Sequence, residues 1–137
     1  MTGRLRTMAI STLAILGSAL GAASLPAQAA DEPVGDEEAG AELYAAQCRG
    51  CHTVSIAPTL RGVVERPIAS VADFGGYSEA LKAKSGQTWT LENLDAFLAA
   101  PQAFAPGTRM VLAVPDAQAR ADIIAYLRTL PPPRATQ

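Results

Sequence analysis

Residues 48–52 read Cys-Arg-Gly-Cys-His. Two thiols three positions apart on a helical turn share one face, and the imidazole of His52 comes next to them. This is the spacing of a c-type haem attachment site, where each cysteine forms a thioether to a porphyrin vinyl group and the histidine reaches the iron. The same residue types have three other uses. A structural zinc needs about four protein ligands. Cys48 and Cys51 are the only cysteines and His52 the only histidine, so a carboxylate would have to complete that set. A thioredoxin-like redox pair belongs beside a βαβ pattern, and no strand-rich segment accompanies this one. A structural disulfide between cysteines three apart closes a very short loop and stabilises little.

An iron held by His52 takes a second axial ligand or leaves that position open for chemistry. There is no second histidine to take it. Met1 and Met8 fall in the leader described below, which leaves Met110, just after Pro106-Gly107-Thr108-Arg109. A lone methionine is commonly core filler, but a turn-rich loop is a poor place for filler. His52/Met110 ligation would favour ferrous iron and raise the reduction potential. It would also close the iron to peroxide and dioxygen, so the site reads as one for passing single electrons.

The elements that must position these residues begin after a leader. Arg4 and Arg6 precede an apolar run from Met8 to about Ala23; Pro26 breaks it, and Ala27-Gln28-Ala29 supplies a small-x-small cleavage pattern. Residues 1–29 therefore read as a secretory signal peptide of the general rather than the twin-arginine type. The alternative is an uncleaved anchor, although the run falls short of the ~20 residues a span wants. Cleavage after Ala29 would leave 108 of the 137 residues, enough for one domain. It divides into a polar linker over 30–36, a domain over 37–131 and a flexible tail over 132–137, set off by Pro131-Pro132-Pro133. Export suits c-type haem, which bacteria attach outside the cytoplasm, and the periplasm is the expected location.

Without Arg4 and Arg6, nine basic residues face thirteen acidic, a formal balance of −4. No basic cluster suggests nucleic acid. Asp31, Glu32, Asp36, Glu37, Glu38 and Glu42 crowd the new N-terminus. They read as a solvated linker and a helix start, where carboxylates suit the positive end of the dipole. Seven aromatics and much alanine make a modest core for a domain of this size, and a large apolar cofactor would supply what the side chains lack.

The periodicity predicts a helix from about Asp36 to Gln47. Gly40, Leu43, Tyr44 and Gln47 share a face that continues into Cys51, and Gly40 is placed for close approach of the last helix. Thr53 to Arg66 reads as loop around Pro58, and 67–76 as irregular. A short helix over Ser78–Lys84 ends at Gly86. Thr90 caps a helix through Ala99 whose inner stripe is Leu91, Leu94, Phe97 and Leu98, with Pro101 as its stop. Asp116 caps the last helix, which runs to about Leu130 and buries Ile123, Ile124, Leu127 and Leu130. Strand signals are weak throughout, so the fold class is all-α.

Taken in order, several stretches resemble the class I cytochromes c. They are Gly40 and Tyr44 ahead of Cys48 to Val54, then Ala57-Pro58-Thr59-Leu60-Arg61-Gly62, Tyr77-Ser78-Glu79-Ala80-Leu81 and Trp89-Thr90. Phe97-Leu98-Ala99-Ala100-Pro101, Pro106 to Met110 and Arg120 to Leu127 complete the series. The resemblance implies a cytochrome c fold, with N- and C-terminal helices crossing and shorter helices and loops wrapped around one covalently bound haem. It implies that the Pro58 carbonyl accepts a hydrogen bond from His52, fixing its orientation. Arg66, Tyr77 and Trp89 then bind or shield a buried propionate, which needs such partners, and Thr108 adds a further hydrogen bond. Gly40 and Tyr44 would meet Tyr126 where the outer helices cross.

The chain also departs from that family. The segment from His52 to Pro58 is shorter than in mitochondrial members, Phe97 stands where many carry a tyrosine near the methionine sulfur, and lysines are scarce. Arginines (Arg49, Arg61, Arg66, Arg109) stand near the motifs instead, so no lysine docking ring is evident. The expected function is a periplasmic, monomeric single-electron carrier that meets membrane or soluble redox proteins in transient contacts, with no small-molecule substrate and no enzymatic activity. The alternatives are a dedicated electron-transfer subunit of a periplasmic dehydrogenase complex and, from the enzyme class, a peroxidase or gas-binding haem protein with an open iron.

Overall fold

The computed structural model describes residues 32–133. The predicted signal peptide, the first residues of the linker and the end of the tail lie outside them. Helix starts follow short-range capping chemistry. The Asp36 carboxylate accepts the N–H groups of Glu38 and Ala39, each at 2.9 Å, opening α1 (Glu37–Leu43). A π turn over Tyr44–Cys48 continues it without a break into α2 (Arg49–His52). Ser78 caps α3 (Glu79–Lys82), and Thr90 caps α4 (Leu91–Ala99). Asp116 caps α6 (Ala117–Thr129), its carboxylate 2.7 Å from the Ala119 nitrogen. Pro101 ends α4 as expected, but it also opens a further short helix, α5 (Pro101–Phe104), at the first-turn position where proline costs no hydrogen bond.

The π turn adds Cys48 to the residues that face inward. A regular helix would carry the inner face of Gly40 and Tyr44 on to Gln47 and Cys51. The wider turn brings Cys48 inward as well: Cys48 is buried, while Gln47 and Cys51 keep accessible surface, and all three line the internal cavity described below. Leu91 also departs from expectation. It is exposed, while Leu94 and Leu98 hold the buried stripe of α4, because the first turn of α4 lies beyond the edge of the core.

Helices α1 and α6 cross at Gly40. A Cβ there would overlap the carbonyl oxygen of Asp122 and stand 2.9 Å from Cβ of Tyr126, so only glycine lets the backbones come this close. The Tyr44 and Tyr126 rings pack beside the crossing with centroids 5.1 Å apart. The end of the expected linker is docked here too. Buried Asp122 accepts the Asp36 N–H at 2.8 Å, and Gln118 donates to the Val34 carbonyl at 2.8 Å. Gly62 donates to the Leu130 carbonyl at 3.1 Å and Pro132 passes close over Gly62, while Pro131, Pro132 and Pro133 are exposed.

Among the described residues there is no β-strand, only one isolated bridge between Pro67 and Thr88. The fold is all-α. That bridge belongs to a short antiparallel pairing: Glu65 donates to the Trp89 carbonyl (3.0 Å), Trp89 to that of Arg66 (2.9 Å) and Ile68 to that of Gln87 (2.9 Å). Glu65 and Ala69 bracket it at φ 61° and 57°, a left-handed conformation that costs a residue with a Cβ about 1–2 kcal/mol. The pairing outweighs that strain and sets Arg66 and Trp89 side by side.

Candidate functional site

The α1–α2 run, the pairing of 65–68 with 87–89, and the segment after α5 surround one cavity of about 270 Å³. Its lining contains Cys48, Cys51, His52, Pro58, Arg66, Tyr77, Trp89, Thr108 and Met110, so every site residue expected from the sequence reaches the same space. The remaining wall is largely apolar, with Leu81, Leu94, Leu98, Ile123 and Leu127, and it includes no carboxylate. The sequence reading missed Ile56 and Val111 at the mouth. They are 67% and 87% exposed, and no periodic pattern marks such loop positions.

His52 Nδ1 lies 2.6 Å from the Pro58 carbonyl oxygen. A carbonyl can only accept, so Nδ1 carries the proton and Nε2 keeps its lone pair free as a ligand. Burial holds the His52 pKa below the usual imidazole range, and the Pro58 bond pulls the other way. The unprotonated ring is the form a metal takes.

Cys48 and Cys51 are not joined to each other. Burial pushes the Cys48 thiol up, with Cys51 adding to the effect. That opposes the depressed thiol pKa of a redox-active pair. Among the described residues no three of His, Cys, Asp and Glu converge, which leaves a zinc site without a ligand set.

Arg66 is the clearest sign of what the cavity accommodates. Its guanidinium donates to the carbonyls of Thr59 and Arg61, each at 2.8 Å, while Nε is buried with no partner. No ion pair among the described residues includes it. Burial lowers its pKa, and Tyr77 opposes that effect. Beside it, the Tyr77 hydroxyl accepts the Val71 N–H at 3.3 Å, leaving its own proton free to donate. Burial raises the Tyr77 pKa, offset by the Val71 bond and Arg66. Trp89 packs on Phe97 and Phe104 at centroid separations of 5.1 and 5.8 Å. A group with a large flat apolar body and its own carboxylates satisfies both the apolar wall and the unpaired cation. Haem is such a group.

The sequence matches the cytochrome c family over residues 37–131. The chain is a cytochrome c. It is 42% identical over 99 residues to the cytochrome c-type cyt cy of Rhodobacter capsulatus, covering 69% of this chain and 49% of that one. The chain thus spans about half the length of that relative. Two solved structures share the fold. Cytochrome cH from Methylobacterium extorquens is 42% identical with a TM-score of 0.59, covering 69% of this chain and 99% of that one. Cytochrome c2 from Rhodospirillum centenum is 32% identical with a TM-score of 0.63, covering 72% and 100%. The protein therefore has the class I bacterial cytochrome c fold, and its cofactor is one c-type haem, covalently bound.

Proposed function

We propose that this cytochrome c is an exported single-electron carrier whose haem iron is held by His52 and Met110. One observation carries the reading. The chain's only histidine, and the only methionine among the described residues, line the same cavity as both cysteines. The haem, when bound, supplies the one-electron chemistry. The protein's part is to hold and enclose it. Cys48 and Cys51 anchor it through thioethers, and His52 offers Nε2 because Nδ1 is committed to Pro58. Met110 offers a soft thioether that favours ferrous iron and fills the position a peroxide or dioxygen would need. Arg66, Tyr77, Trp89 and Thr108 receive the propionates, and the apolar wall keeps out water that would otherwise reorient with each change of charge.

Electrons leave by the cavity mouth, where Cys51, Ile56 and Val111 are exposed beside Arg109. A membrane or soluble redox protein docks there in a small, brief contact. With an apolar rim and few lysines, the encounter rate depends only weakly on ionic strength. Residues 1–29 direct the chain to the periplasm. Among the described residues no helix is long and apolar enough to cross a membrane.

Visible spectra of the purified protein test the ligand assignment. A two-thioether pyridine haemochrome and the weak far-red methionine–ferric band are expected. Met110→Ala should remove that band and admit cyanide and carbon monoxide; a variant that kept the band and refused both would overturn the assignment. N-terminal sequencing of protein from the periplasmic fraction should start at residue 30. An intact Met1 in the membrane fraction would contradict export by cleavage.

A further inference from the structure

We propose that Gln102 is a positioning residue for the methionine ligand, one exposed amide that clamps the backbone carrying Met110 from outside the cavity. The proposal rests on the reading of Met110 as the iron ligand. The segment is firmly held at its two ends. Ala105 is fully buried and donates to the Pro101 carbonyl at 2.9 Å. Val114 is buried, donates to the Leu98 carbonyl at 2.8 Å and accepts from Arg120 at 3.1 Å. Between them, among the described residues, the only backbone–backbone hydrogen bond is that of Thr108 N–H to the Ala105 carbonyl at 3.1 Å. Gly107 turns the chain at φ 77°.

Gln102 supplies what the middle lacks. Its Oε1 accepts the Gly107 N–H at 3.2 Å, and its Nε2 donates to the Thr108 carbonyl at 2.6 Å and to the Met110 carbonyl at 3.4 Å. One side chain thus satisfies three backbone groups in succession. The Thr108 hydroxyl, facing the cavity, accepts the Met110 N–H at 3.5 Å. Gln102 itself is exposed and lines no part of the cavity, so it acts on Met110 only through the backbone. A neutral thioether binds ferric iron weakly, so in the oxidised protein the ligand's occupancy depends on how strongly the loop prefers this path. Removing the clamp should loosen the ferric state first.

The test uses the haem-loaded protein. Gln102→Ala should speed cyanide binding to the ferric form about ten-fold, the effect of losing one to two net hydrogen bonds. It should also weaken the far-red band while leaving the ferrous spectrum unchanged. Gln102→Glu still accepts from Gly107 but cannot donate, and should behave as the alanine variant does. Added to Met110→Ala, which is already fast, Gln102→Ala should change nothing. If Met110→Ala accelerates cyanide and Gln102→Ala stays within two-fold of the parent, the clamp is refuted while the ligand reading survives. If Met110→Ala fails to accelerate it, the ligand reading falls and takes the clamp with it. The unmodified protein offers a check that needs no variant. Corrected for intrinsic rates, the Gly107 amide should exchange at least ten-fold more slowly than that of Arg109, and equal rates would overturn the proposal.

Discussion

His52 and Met110 reach one cavity from two kinds of structure. His52 ends a helical run that begins at Asp36, leans on α6 through Gly40 and is oriented by a single short bond to Pro58. Met110 lies in a loop whose ends are buried but whose middle depends on side chain–backbone bonds. A helix satisfies its own backbone, so the histidine wall is rigid as a consequence of folding at all. A loop has no such ladder, and its shape holds only while particular side chains hold it. The methionine wall is therefore expected to be the one that opens first under stress.

Substitutions of the two proposed ligands should expose this difference most strongly. His52→Ala removes the proposed ligand on the helical wall and should abolish the native low-spin spectrum. Met110→Ala should leave the haem attached but lower its potential. If the thioether favours ferrous iron by ten- to a hundred-fold, the drop is about 60–120 mV at one electron. A potentiometric titration decides it; an unchanged potential would remove Met110 from the iron.

The next effect contrasts two glycines. Gly40→Leu drives a side chain into the α6 backbone and should cost about 3 kcal/mol or prevent folding, as overpacking does. Gly107 has open space around a Cβ but a positive φ, so Gly107→Ala should cost about 1–2 kcal/mol. Its loss should appear in the far-red band before global unfolding in guanidinium. Coincident transitions for Gly107→Ala would erase the distinction between the walls.

Arg66→Leu forfeits the bonds to Thr59 and Arg61. Denaturant unfolding should show a loss of about 1–3 kcal/mol, with the ligand bands intact. The smallest effect belongs to the rim. Val111→Ser should alter stability by no more than ~0.5 kcal/mol yet slow reduction by a redox partner, with little dependence on salt. A steep ionic-strength dependence would instead point to charged docking through Arg49 and Arg109.

Much of this was legible in the residues. Asp36, Ser78, Thr90 and Asp116 mark helix starts because a cap acts on backbone groups two or three residues away. Cys48, Cys51, His52 and Met110 could be named because their types are so few, with one histidine in the chain and one methionine among the described residues. Pro58, Arg66, Tyr77, Trp89 and Thr108, by contrast, were implied only by the resemblance to the class I cytochromes c. The π turn was not legible, because an extra residue in a helical turn leaves no mark on periodicity until tertiary packing selects it. The exposure of Leu91 and the docking of residues 34–36 depend likewise on where the core ends.

The sequence alone determined the cofactor's attachment, the scarcity of candidate ligands and the all-α class, each a matter of residue type and local spacing. Only the tertiary structure decided that Arg66 is left with an unpartnered buried nitrogen, that a π turn buries Cys48 beside Gln47 and Cys51 in the cavity lining, and that Gln102 hydrogen-bonds the methionine loop. Those outcomes rest on contacts between segments, and their hydrogen bonds exist only after the chain has chosen a path that local propensity does not specify.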